Sequence, residues 1–343
     1  MDRPMILDGD FGAELRHHFQ QAQKFGKAFT LHALQADLFA VYKTHLAYLR
    51  AGAQIIRTNT YQASIGALKK HLDLDPSESL LKIHDAVRMA KQAVTTYDEE
   101  MGRDPSSEEY QLGRPLVAGS CGSYMVSTLD DISDKSNVST DVTGQLSSYY
   151  LFSFHELRVQ ALLEAGVDLL AFESIPSLFE VTTITRVLKK YPNARAWITL
   201  YCLADTKLMD GNEFEKVATY CHDSLPNQII AVGAECASPE TIVSVMRSLN
   251  DRRYSKIVFL LCAHQRYLHT KVGSGKSNTA LSHNYVQQWW DAGIRFIGGG
   301  TDTVAKDIKK VCKKVEGFNV ANDRFFTSLM SLLYQNKENL SKM

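Results

Sequence analysis

Ala51-Gly52-Ala53-Gln54-Ile55-Ile56 decides the fold, because the phrase returns as Ala165-Gly166-Val167-Asp168-Leu169-Leu170 and as Ala292-Gly293-Ile294-Arg295-Phe296-Ile297. In each copy a helix-compatible stretch ends in Ala-Gly and gives way to a short run rich in Ile, Val, Leu and Phe. A glycine just past the last helical turn takes the left-handed conformation that closes a helix. The apolar run after it is too hydrophobic for a half-exposed strand, and predicts a parallel strand covered on both faces. Helix, glycine cap and buried strand in repetition is the rhythm of an α/β chain. Working outward from these copies, strands are predicted near residues 5–10, 53–60, 115–121, 167–173, 195–202, 229–236, 256–262 and 294–299. Helices are predicted over 35–50, 76–98, 145–164, 178–190, 212–223, 238–250, 281–291 and 303–314. Eight such units in 343 residues predict a single (β/α)8 TIM-type barrel over 1–320, with a C-terminal helical tail over 321–343 as an oligomer contact. A doubly wound open sheet is the alternative.

Composition narrows the function classes. The chain is 45% hydrophobic and 22% charged with a formal net charge of zero, so it has a large core and no general attraction to nucleic acid or anionic membrane. No apolar run reaches the roughly 20 residues a membrane span requires. Cys121, Cys202, Cys221, Cys236, Cys262 and Cys312 form no CxxC pair, and read as reduced thiols. With no leader pattern at Met1–Asp8, the expected location is the cytoplasm. Asp104–Gln111 reads as a solvated loop, Ser127–Gln145 as a lid on the face where the strands end, and 265–280 as another loop there.

In a barrel the chemistry sits at those strand ends. Here they carry Asp8-Gly9-Asp10, Thr58-Asn59-Thr60-Tyr61-Gln62, Ser120-Cys121-Gly122-Ser123-Tyr124, Phe172-Glu173-Ser174, Tyr201-Cys202, Glu235-Cys236, Cys262-Ala263-His264 and Gly298-Gly299-Gly300-Thr301. Carboxylates, small hydroxyls and glycines together suit an amino acid. Asp8 and Glu173 would face its ammonium, while Thr58, Ser120 and Gly122 would hydrogen-bond its carboxylate. Tyr61, Gln62 and Tyr124 would line the pocket. Ordinary strand-end ion pairs and loop structure are the competing reading.

The stretch Ala51-Gly52-Ala53-Gln54-Ile55-Ile56-Arg57-Thr58-Asn59-Thr60-Tyr61-Gln62-Ala63-Ser64 is close to the AGAxxxxTNTYQAS of the homocysteine S-methyltransferase family. Leu7-Asp8-Gly9, Ala118-Gly119-Ser120, Ala171-Phe172-Glu173-Ser174-Ile175-Pro176 and Ile297-Gly298-Gly299 follow in the family's order, so the resemblance spans about residues 5–315. It implies homocysteine or methionine as ligand, and zinc held by three thiolates that deprotonates the homocysteine sulfur for attack on a methyl donor. One of those thiolates lies in a Gly-x-Asn-Cys motif and two in a Gly-Gly-Cys-Cys motif.

The chain departs from that pattern where the metal would sit. The first motif reads Gly233-Ala234-Glu235-Cys236, and the second Gly298-Gly299-Gly300-Thr301. The family's Asp-Gly-Gly is Asp8-Gly9-Asp10, its Gly-Pro-Tyr-Gly is Gly122-Ser123-Tyr124-Met125, and its first-loop tryptophan resembles Phe29. Glycine has no donor atom, a neutral threonine hydroxyl is a poor zinc ligand, and one thiolate cannot close such a site. Cys236 is then a remnant, with Cys262 and His264 as the candidates for a rebuilt Cys2His zinc site. The expectation is a binding or regulatory protein without zinc-dependent transfer, alone, as a homo-oligomer or beside a catalytic paralogue. The alternative is an active methyltransferase with a rebuilt site or a metal-free route.

Overall fold

The structure, a computed structural model, describes residues 3–128, 147–203, 206–235, 238–265, 285–318, 331 and 333–334. Eight strands run in chain order as β1 (Met5–Ile6), β2 (Ile55–Arg57), β3 (Leu116–Gly122), β4 (Leu169–Ile175), β5 (Ala196–Tyr201), β6 (Ile229–Glu235), β7 (Phe259–Ala263) and β8 (Ile294–Gly299). All ladders are parallel in the order β1-β8-β7-β6-β5-β4-β3-β2. A parallel bridge from Leu7 to Ile55 joins the two ends, supported by Asp8 N donating to Ile55 O at 3.0 Å. The sheet therefore closes, and the barrel replaces the open-sheet alternative.

The glycine caps act as expected: Gly52, Gly166 and Gly293 have φ of 102°, 78° and 96°. Along each strand alternate residues serve two cores. Met5, Leu7, Ile55, Leu116, Ala118, Leu169, Ala171, Leu260 and Phe296 fill the barrel around the fully buried Trp197. Ile6, Ile56, Val117, Leu170, Ile198, Val232 and Ile297 face the helices. Burying one such Leu or Ile is worth roughly 1.5–3 kcal/mol, so the barrel makes a stiff frame for its loops.

Helix positions follow from identifiable caps. Asp37 accepts from Ala40 N at 2.9 Å and starts Leu38–Arg50, three residues later than predicted. Asp75 and Glu78 form a reciprocal capping box on Pro76–Glu100. The first loop holds unpredicted helical segments at Phe11–Leu15, Ala22–Ala28 and Phe29–Ala36, and Ile65–Leu72 is a further one. Asp104–Gln111 is not wholly loop, since Ser107 caps the short helix Glu108–Gln111. Strand β2 stops short of residue 60 because Thr60 N turns back onto Thr58 O at 2.7 Å. No helix among the described residues is long and apolar enough to cross a membrane. Most of the lid stretch, most of 265–280, Cys236 and most of the tail lie outside the described residues. Of the tail, Leu333 and Tyr334 are buried against the barrel's own interior cluster, and Tyr334 Oη donates to Arg114 O at 3.2 Å.

Candidate functional site

Strand β2 ends on a charge. Ile55 points into the barrel, and alternation sends Arg57 the same way, to the mouth where the strands finish. There its Nε donates to Asp8 Oδ1 at 2.6 Å and its Nη1 to Glu173 Oε1 at 2.6 Å. Its backbone N donates to Asp8 Oδ2 at 2.8 Å, and Nη2 to Gly9 O at 2.7 Å. The guanidinium thus lies between the two carboxylates expected to hold a ligand's ammonium. This corrects the sequence reading of Asp8 and Glu173: both are brought together, but their counter-charge is built in. A charge this deep requires such partners, because an unpaired one costs several kcal/mol.

The expected carboxylate-binding hydroxyls are also engaged. Thr58 Oγ1 lies 2.6 Å from Thr60 Oγ1 and accepts from Ser120 N at 3.0 Å. Ser120 Oγ donates to Glu173 Oε2 at 2.5 Å, so it orients a carboxylate of the protein. Gly122 fits its place through packing, since a Cβ there would stand 2.4 Å from Tyr61 O. Its role as a ligand contact is corrected accordingly. Tyr124 is another correction, because it packs edge-on to Phe154 and Tyr150 rather than lining the cavity. Tyr61 and Gln62 do line it, with Tyr61 Oη 2.7 Å from Ser174 Oγ and Gln62 Oε1 accepting from Thr30 Oγ1 at 2.7 Å.

Around these groups is a cavity of about 360 Å³ whose wall also includes Lys27, Phe29, Tyr201, Glu235, Cys262, His264, Gly300 and Thr301. That is the lower end of the size of small-molecule sites. Ser174 borders it with φ 58°, a left-handed conformation that non-glycine residues adopt at a cost. The turn lets Ser174 donate through Oγ to Glu235 Oε2 at 2.5 Å and through N to Oε1 at 3.3 Å, while Thr199 Oγ1 also donates to Oε1.

Burial sets the electrostatics. It pushes Asp8 up to about 6 even against the pull of Arg57, and Asp8 remains mostly ionised at neutral pH. The two carboxylates hold Arg57 well above its usual value despite burial. Glu235 is raised by burial first and by the charge of Glu173 second. Burial lifts the Cys262 thiol to about 12, against a smaller lowering by Arg57.

The residues implied for a metal are spread unevenly. Cys262 and His264 share the cavity wall, and Cys236 lies outside the described residues. Among the described residues, no three His, Cys, Asp or Glu side chains are grouped to hold a metal ion. At Gly300 a Cβ would stand 3.0 Å from Cys262 O and 3.2 Å from the His264 ring, tighter than ordinary contact.

Arg57 and Ser174 are the site residues that sequence reasoning passed over. Arg57 carried a signal, being a charge two residues after Ile55 in an otherwise apolar buried strand. The left-handed turn at Ser174 carried none.

Comparison with known proteins gives a consistent picture. A sequence profile of the homocysteine S-methyltransferase family matches residues 5–315. Homocysteine S-methyltransferase of Escherichia coli (strain K12) is 31% identical over 307 residues, 89% of this chain and 93% of that protein. Betaine-homocysteine S-methyltransferase of Drosophila melanogaster is 29% identical over 289 residues, covering 82% of this chain and 85% of that one. Among solved structures, the metallated homocysteine methyltransferase MmuM from Escherichia coli superposes with a TM-score of 0.73 at 27% identity, over 91% of this chain and 96% of that chain.

Proposed function

We propose, from the premise that this chain belongs to the homocysteine S-methyltransferase family, that it binds a small molecule of amino-acid size at the barrel mouth and does not carry out zinc-dependent methyl transfer. It acts on this reading as a binding or regulatory protein. The donor set at the mouth is the observation that carries it. Gly300 and Thr301 stand where the family pattern has its thiolate pair. The thiol beside them, Cys262, is held in its protonated form by burial. Asp8 and Glu173 are committed to Arg57, whose positive charge on the same wall opposes a dication. These residues do not fit a tetrahedral zinc that must present a thiolate at neutral pH. What the chain's residues do supply is a shaped cavity with fixed hydrogen-bonding groups.

A second reading, an active methyltransferase with zinc on Cys236, Cys262 and His264, draws support from the shared position of Cys262 and His264 on the cavity wall. The deciding assay follows methionine formation from homocysteine with S-methylmethionine, betaine or S-adenosylmethionine, in zinc-supplemented buffer. The proposal expects no product above the uncatalysed background. Turnover that disappears in His264→Ala sinks it.

A further inference from the structure

Every carboxylate that lines or underlies the cavity among the described residues already accepts from the protein. Asp8 takes the backbone N and Nε of Arg57, and Glu173 takes Arg57 Nη1 and Ser120 Oγ. Glu235 takes Ser174 and Thr199. Asp10 accepts from Ala13 N at 3.1 Å and from Asp302 N at 3.0 Å. A ligand ammonium seeks ionised oxygens in a place shielded from water, and the pair best placed to offer them is bridged by a guanidinium at 2.6 Å on each side. To enter there, the ammonium would have to expel Arg57 from two charge-assisted hydrogen bonds and from Gly9 O.

The same guanidinium favours a different group. Its three short side-chain bonds go to Asp8, Glu173 and Gly9, and a guanidinium carries five N–H donors. Its side chain is 14% exposed, at the cavity wall, where Lys27 also stands. A ligand oxygen therefore meets donors where a ligand nitrogen meets a cation.

We propose that Arg57 is a built-in counter-ion that fills the ammonium subsite, so that the cavity selects an amine-free carboxylic acid of amino-acid size, an α-keto or α-hydroxy acid, over the corresponding amino acid. This rests on the binding reading above and names its ligand class. It also corrects the expectation of homocysteine or methionine as the ligand.

The test is calorimetric titration of the full chain with methionine and with the α-keto and α-hydroxy acids of the same side chain. The amine-free acids are expected to bind at least about tenfold tighter than methionine, a gap of about 1.4 kcal/mol. Arg57→Gln, which removes the cation, is expected to reverse that order, while Arg57→Lys, which keeps one, is expected to preserve it. Methionine binding to the unaltered chain as tightly as its keto acid overturns the proposal. So does failure of all three acids to bind, or an order of affinity that Arg57→Gln leaves unchanged. If Arg57→Gln does not fold, the comparison on the unaltered chain decides alone. Tight methionine binding without methyl transfer would sink this inference and leave the binding reading standing. Methyl transfer to the amine-free analogue of homocysteine would do the reverse.

Discussion

Replacing Arg57 by alanine exposes how much of the molecule's stability passes through one side chain. Its partners Asp8 and Glu173 have side chains 0% and 6% exposed, so removal leaves two carboxylates in a place water barely reaches. Breaking one buried pair typically costs about 3–5 kcal/mol. The two losses do not add here, because Asp8 has an escape. With a pKa near 6 it can be neutralised at pH 7 for about 1.4 kcal/mol, and for less once the lowering influence of Arg57 is gone. Glu173 keeps the hydrogen bond from Ser120. The expected loss is therefore about 3–4 kcal/mol at pH 7. Its pH dependence has a definite sign. A carboxylate whose folded pKa lies above the unfolded value destabilises at high pH, and that penalty shrinks as pH falls through the folded pKa toward the unfolded one. The gap between variant and unaltered chain should thus narrow by roughly 1 kcal/mol on going from about pH 7.5 to 5.5. Urea unfolding followed by far-ultraviolet dichroism at both pH values measures it. A loss under about 1 kcal/mol at pH 7, or a gap that widens in acid, would refute the reasoning that Arg57 neutralises buried charge.

Other consequences can be measured on the same material. His45 is fully buried with no hydrogen-bond partner on either ring nitrogen among the described residues, and burial lowers its pKa to about 3. Its neutral form is favoured in the folded state, so its contribution is lost as pH falls from 6.5 toward 3, on the order of 5 kcal/mol in all, and His45→Leu should shift acid unfolding to lower pH. An unchanged acid midpoint contradicts this. Gly122→Ala would push a Cβ to 2.4 Å from the backbone oxygen of Tyr61, and should cost about 1–3 kcal/mol with the damage confined to the loops after β2 and β3. A neutral effect on the melting temperature would show that those loops yield freely. Asp75→Ala removes one half of a capping box, and should cost about 1 kcal/mol in urea without altering ligand binding.

Much of the barrel was legible because its signals are local. Gly52, Gly166 and Gly293 announce helix ends, and Ile55-Ile56, Leu169-Leu170 and Phe296-Ile297 announce strands buried on both faces. The helices at 11–15, 22–28, 29–36 and 65–72 escaped because they are short and decorate loops, where tertiary contacts outweigh periodicity. At the site, the sequence pointed correctly to the strand ends and to Asp8, Glu173, Tyr61 and Gln62. It did not show that Thr58 and Ser120 are consumed inside the protein, since hydrogen-bond partners far apart in the chain are settled only by the closed ring. Tyr124 was misplaced because the chain leaves β3 into a helix at Tyr124–Thr128 that turns its ring outward onto Phe154. Arg57 was the costly omission. It stood inside the most diagnostic stretch, at a position read as spacing rather than as a charge needing partners.

The account rests most heavily on the claim that the barrel mouth offers no adequate seat for a divalent ion. Zinc per chain, measured by mass spectrometry on protein purified from zinc-replete cells and dialysed without chelator, addresses that directly. Far less than one zinc per chain is expected, with no change in Cys236→Ser. One zinc per chain that is lost in Cys236→Ser or Cys262→Ser would contradict it.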